Sequence, residues 1–176
     1  WARSTLGMTS GKYYFEMKVQ TPSNNCAIGI SDRPSPNLTT ELGAGAYDYS
    51  YQSANSGNKY NNGSQSSYGN TYTTNDIVSC ALDLDNLKVY FGKNGTWQNS
   101  GDPTSGSTGT GAAFTVAAPS STDGGAYFFC GGDLTGSNNV RLLANFGNGI
   151  FADNDPVASA GTNASNNGIF EYDVPT

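Results

Sequence analysis

The chain has 176 residues, the length of one domain and enough to bury roughly 70% of its unfolded surface around a single core. Only 12% of residues are charged and the net charge is −6, with a sequence pI near 4.3. A phosphate backbone therefore has no electrostatic reason to bind, and nucleic acid is excluded as the expected partner. Abundant Gly, Asn, Ser, Thr and Tyr with so little charge is the composition of a turn-rich all-β protein. No run approaches the ~18 apolar residues that span a bilayer, and no signal peptide opens the chain. Membrane is not expected as a partner. The first residue is Trp1, not Met, which reads as a piece of a longer chain.

In chain order, Gly11 to Gln20 alternates Tyr14, Glu16 and Lys18 against Tyr13, Phe15, Met17 and Val19. That period of two predicts a strand with the second set buried. Cys26 to Asp32 is short and apolar and runs into Arg33 and two prolines, which predicts a central strand feeding a loop. Tyr47, Tyr49 and Tyr51 share one face of a further strand, as core or as a binding ladder. Gln52 to Tyr68 has no apolar period and reads as a loop or edge hairpin carrying Tyr60 and Tyr68.

Asp76 to Asp102 reads as three short strands joined by tight turns at Asp85-Asn86 and Asn94-Gly95. Asn-Gly is the strongest short-range hairpin signal, because both residues tolerate positive φ. Pro103 to Thr110 has the composition of a flexible, exposed loop. Ala112 to Ala118, Ala126 to Cys130 and Val140 to Phe146 are strand candidates, with a turn cluster at Pro119 to Gly125. Ile169 to Val174 is the last. Turn signals about every ten residues and no helical pattern argue for a sandwich.

The chain contains no histidine, which removes Ser-His-Asp and Cys-His nucleophile systems and His-liganded metals together. Cys26, Cys80 and Cys130 lie in apolar runs without CxxC spacing, and read as buried free thiols. The four N-x-S/T sequons, at Asn37, Asn62, Asn94 and Asn163, match what so Asn- and Ser-rich a composition yields by chance. No phosphate-binding glycine motif opens a helix, and no metal or cofactor is expected. Paired carboxylates could still hydrolyse glycans on a sandwich, but Glu occurs only at 16, 41 and 171. Asp83 and Asp85 read as turn residues that bond their own backbone. The aromatic residues are the better binding material, since Tyr gives rigid amphipathic contact area at low entropy cost. Tyr60, Tyr68 and Trp97 lie in turn-rich segments where exposure is expected; Trp97 could instead fold onto its own hairpin.

Asp76 to Asp102 resembles the signature stretch of the SPRY domain. Gly11-Lys-Tyr-Tyr-Phe-Glu16 is similar to that family's first motif, Ala27-Ile-Gly-Ile-Ser-Asp32 to its second and Ala144-Asn-Phe-Gly147 to its last. The resemblance runs from Gly11 to about Phe151 and implies an all-β fold, a bent antiparallel sandwich of the concanavalin-like jelly-roll type, as one domain over residues 1–176. It also implies a recognition module without catalytic residues that grips partners with its loops. The lead-in from Trp1, the Asn/Gly/Ser/Tyr-rich loops and the ending from Gly168 are most similar to SPRY modules of bacteriophage tail, fibre or capsid-decoration proteins.

That implies a virion-surface module, with the cytoplasm as the alternative location. It would bind a host surface glycan or protein through Arg33 to Glu41, Gln52 to Tyr68, Trp97 to Gly101 and Ser120 to Gly125. The candidate ligand-binding residues are Arg33, Tyr51, Tyr60, Tyr68, Trp97, Gln98, Asn99 and Asp123. Two alternatives stand beside it. One is a structural decoration domain that contacts only neighbouring virion proteins, with homo-oligomers formed through the parent protein; the other is a glycoside hydrolase on a related sandwich.

Overall fold

A computed structural model describes residues 1–21, 25–33, 40–54, 56–134, 140–152, 155–158, 161–162, 166 and 168–176. The strands in chain order are β1 (Ala2–Arg3), β2 (Lys12–Val19), β3 (Cys26–Ser31), β4 (Asp48–Gln52), β5 (Asn58–Asn61) and β6 (Ser64–Ser67). There follow β7 (Ile77–Asp83), β8 (Lys88–Lys93), β9 (Thr96–Trp97), β10 (Phe114–Thr115), β11 (Phe128–Asp133) and β12 (Leu142–Asn145). Four short strands close the chain: β13 (Ile150–Ala152), β14 (Asp155–Pro156), β15 (Gly161–Thr162) and β16 (Ile169–Phe170).

One antiparallel sheet has the order β1-β11-β3-β4-β5-β6 and the other β10-β8-β7-β2-β12, with β9 beside β8. Side chains from their facing surfaces fill the space between them. Phe15, Met17 and Val19 of β2 point into this core, as the period of two requires, together with Ile28 and Ile30, Tyr49 and Tyr51, and Val89 and Phe91. Phe15 meets Phe129 with ring centroids 4.0 Å apart, and Tyr51 stacks on Phe91 at 5.7 Å. All three cysteines are buried and unpaired.

The turns follow their residues. Asn94 (φ 48°) and Gly95 (φ 77°) are both left-handed, the type I′ geometry that joins β8 to β9. The β7–β8 connection is wider than a two-residue turn. Asp83 pairs with Lys88 across residues 84–87, and Leu87 takes the left-handed conformation (φ 57°). The Asp83 carboxylate accepts from Asn86 N at 2.9 Å and Asn86 Nδ2 at 2.8 Å, and that of Asp85 accepts from Gly11 N at 2.9 Å. Asp83 therefore serves its own turn, as its position in the sequence suggested, whereas Asp85 holds the backbone of the distant Gly11 instead of its own.

Several expectations are corrected. The strand over Ala112 to Ala118 contracts to β10. The loop after Pro103 is tied by its own bonds: Asp102 Oδ1 accepts from Thr104 N at 2.9 Å, and Ser105 Oγ from Thr110 N at 2.9 Å. Glu16 faces away from the core yet is fully buried, because residues 168–173 lie across that outer face. Its Oε2 accepts from Glu171 N (2.8 Å) and its Oε1 from Tyr172 N (2.9 Å) and the Tyr14 hydroxyl (2.9 Å). Those two backbone donors go to a carboxylate, so the last strand stops at Phe170 instead of running on to Val174.

Candidate functional site

In the first sheet β3 lies between β11 and β4, with Ser31 opposite Phe128 on one side and Asp48 on the other. Antiparallel pairing thus brings the end of β3, the start of β4 and the start of β11 to the same end of the sheet. The loops attached there carry Asp32 and Arg33, Gly45 to Tyr47, and Asp123 and Gly124. Together they line a cleft of about 350 Å³. Of the residues singled out in the sequence, Arg33 and Asp123 meet here although 90 positions separate them.

The walls are tightly built. The fully buried Asp48 side chain accepts from Ser31 Oγ at 2.6 Å and Gly45 N at 3.0 Å and pairs with the Arg33 guanidinium at 3.2 Å. Gly45 leaves room for that pair, since a Cβ on it would stand 2.2 Å from an Arg33 nitrogen. On the other wall Asp32 accepts from Gly124 N at 3.1 Å, and a Cβ on Gly124 would stand 1.7 Å from the Asp32 carbonyl oxygen. Burial pushes the Asp32 carboxyl above its ordinary range against the Gly124 N–H; Asp48 and Asp123 add to the rise and Arg33 opposes it. Half-buried Tyr47 completes the lining and Asp123 is exposed.

The other predicted residues are not brought to this cleft. Tyr60, half-buried, lies against Gly43 on the edge hairpin, which leans on the cleft wall through Asn61 Nδ2 to Ala46 O at 3.0 Å. Tyr68, expected to be exposed, is buried: its hydroxyl accepts from Phe91 N at 3.1 Å and Lys59 sits beside its ring. Tyr51 is wholly inside, with its hydroxyl donating to Asn70 O. Gln98 is buried as a brace, with Oε1 accepting from Asn70 N at 2.8 Å and Nε2 donating to Thr96 O at 2.8 Å. Trp97 is half-buried against its own hairpin, edge-on to Tyr14 at 6.4 Å, and Asn99 is exposed beside it. The Arg33 to Glu41 loop lies outside the described residues from 34 to 39.

Sequence reasoning missed Asp32, Asp48, Gly45 and Gly124. A charged pair closing an apolar strand, Asp32-Arg33, was the signal available for the first of them. Nothing local pairs Asp48 with Arg33. Three further clefts of about 360, 490 and 340 Å³ surround Phe146, which is 53% exposed while stacking on Phe15 at 5.8 Å. Among the described residues no group of three or more His, Cys, Asp and Glu is placed to hold a metal. No helix of the described chain is long and apolar enough to cross a membrane.

Two antiparallel sheets packed face to face, with loops gathered into a charged cleft at one end, define a β-sandwich built for recognition. The SPRY domain pattern matches residues 12–131, and the chain belongs to that family. SPRY domains are protein–protein interaction modules, generally without catalytic duty. The chain is 34% identical over 93 residues to the ATP-dependent RNA helicase DDX1 of Xenopus laevis, a match covering 53% of this chain and 12% of that protein. It is 29% identical over 86 residues to Ran-binding protein 9 of Danio rerio, covering 48% of this chain and 14% of that one. The SPRY domain of human HERC1 superposes with a TM-score of 0.58 at 21% identity, over 81% of this chain and 79% of that one, which establishes the jelly-roll-like sandwich.

Proposed function

We propose that the chain is a non-catalytic recognition domain that holds a segment of a partner protein in the cleft between Arg33, Tyr47 and Asp123. The observation that carries this is the convergence of three strand ends on one concave, charged and rigidly walled site. Part of the relatives' naming agrees with it, since one is named for binding Ran. We take residues 1–176 as one folding unit, supported by the bonds from Glu171 and Tyr172 back to Glu16 in β2.

A protein segment suits the site better than a glycan. Glycan binding wants exposed aromatic platforms, and Tyr51 and Tyr68 are buried. A virion-surface setting, with a host surface protein as the partner, is supported by loop composition alone: residues 52–68 are almost entirely Asn, Ser, Gly, Gln and Tyr.

The test is selection of a random peptide library on the intact domain, followed by affinity measurement on variants that keep the wild-type melting temperature. Tyr47→Ala is expected to weaken the selected peptides at least tenfold and Trp97→Ala to leave them unchanged. Peptides that bind Tyr47→Ala as well as wild type would refute the assignment.

A further inference from the structure

We propose that the group held in this cleft is the guanidinium or ammonium of an arginine or lysine on the partner, arginine being the better fit. This rests on the recognition reading above and adds to it the chemistry of the ligand.

The chain has eight Lys and Arg, and all eight are among the described residues. Only Arg33 lines the cleft, and it is spent on Asp48, which Ser31 Oγ and Gly45 N also satisfy. Lys12, Lys18 and Lys93 pair with Asp83, Asp155 and Asp76, and Lys59 and Lys88 bond Ala113 O and Thr115 Oγ1. Arg3 lies over the Phe128 ring, and Arg141 lines the 490 Å³ cleft beside Phe146.

Among the described residues neither Asp32 nor Asp123 forms an ion pair, and the one cation that acts on Asp32 is Arg33, already held by Asp48. Among the same described residues Asp32, 4% exposed, accepts one hydrogen bond, from Gly124 N, and the exposed Asp123 accepts none. A carboxylate so far removed from water is costly unless a counter-charge reaches it, and the open space beside it is the cleft itself. An incoming guanidinium can bond Asp32 and Asp123 with separate N–H groups, which a point-like ammonium does less well. Tyr47 is on the same lining, and an aromatic ring there is a further partner for a cation. Residues 34–39 add no charge of either sign, and the net charge of −6 favours the approach of a basic segment.

The experiment reads the composition of the selected peptides and their dependence on Asp123, whose exposed side chain can change without disturbing the fold. Peptides enriched in arginine or lysine that lose at least tenfold in affinity on Asp123→Asn, and on replacing that one basic residue by glutamine, support the proposal. Peptides that depend on Tyr47 but carry an acidic or neutral anchor overturn it and leave the recognition reading intact. If no selected peptide depends on Tyr47 or Asp123, both fall. A rise in melting temperature with calcium chloride that Asp123→Asn abolishes would also overturn it, since the counter-charge would then be a metal ion.

Discussion

Replacing Glu16 by alanine tests how the C-terminal segment is held. The carboxylate accepts four hydrogen bonds, from Glu171 N, Tyr172 N, the Tyr14 hydroxyl and Asn145 Nδ2, the last at 3.3 Å. Alanine accepts none of them. Each orphaned buried donor costs about 1–3 kcal/mol, but residues 171–172 can lift into water, and a buried charge is removed. The net loss is about 2–4 kcal/mol, within the range of a broken buried network. At roughly 2–4 °C per kcal/mol for a chain of this length, the melting temperature falls by about 10 °C. Burial raises the Glu16 carboxyl against its four donors. The folded state therefore binds the proton more tightly than the unfolded state. Glu16's contribution to stability grows as pH falls from above its raised value towards the unfolded value near 4.5, and shrinks as pH rises through that window. The isostere Glu16→Gln should lose this pH dependence because it removes the titrating group, yet it too should destabilise at pH 7, since its Nε2 cannot accept from the two donors that face one of the carboxylate oxygens. Thermal unfolding read by circular dichroism, with hydrogen exchange at the amides of Glu171 and Tyr172, checks both. An alanine variant within about 0.5 kcal/mol of wild type, with those two amides as slow as before, would refute the reasoning.

Gly124→Ala should abolish binding at the cleft while changing the melting temperature little, because its Cβ would meet the Asp32 carbonyl oxygen at 1.7 Å and an exposed loop must swing away; peptide affinity and thermal unfolding read together decide it. Gly29→Ala, by contrast, places a Cβ 2.0 Å from the Tyr49 carbonyl in the middle of the first sheet, and should cost more than about 3 kcal/mol or prevent soluble expression. The thiols of Cys26, Cys80 and Cys130 are buried, and desolvation raises all three. Labelling with a chromogenic disulfide reagent should be negligible in buffer and reach three equivalents in denaturant; fewer than three equivalents would mean a disulfide.

Legibility in the sequence tracked the range of the interaction responsible. The period of two in β2, the Asn94-Gly95 turn and the meander around it are local, and residues within a few positions of one another determine them. Glu16 reads as a solvent-facing polar residue on that same period, and its burial depends on a segment more than 150 positions away. Tyr68 and Gln98 failed for a related reason. A turn-rich segment shows that the backbone bends, but which way a side chain then points depends on what it meets: Phe91 for Tyr68, Asn70 for Gln98. Trp97 could be read either way, and the type I′ geometry of its own turn returned it to the sheet.

The cleft joins both ranges. Arg33 and Asp123 were visible as charged residues in loops, whereas the rigidity of their setting comes from Gly45 and Gly124, which composition alone assigns to ordinary turns. Each glycine lets backbone approach to a distance no Cβ tolerates, one against the Arg33–Asp48 pair and the other against Asp32. The floor of the site is therefore made of sheet ends and two close backbone contacts, and it stays in place whatever the neighbouring loop carries. The rim is Asp123, which is exposed, and Tyr47, which lines the cleft while its half-buried side chain also packs against the core. A sandwich divided in this way can change its partner at Asp123 without disturbing the floor or the core, so that exposed position, more than Tyr47, is the one worth reading for specificity.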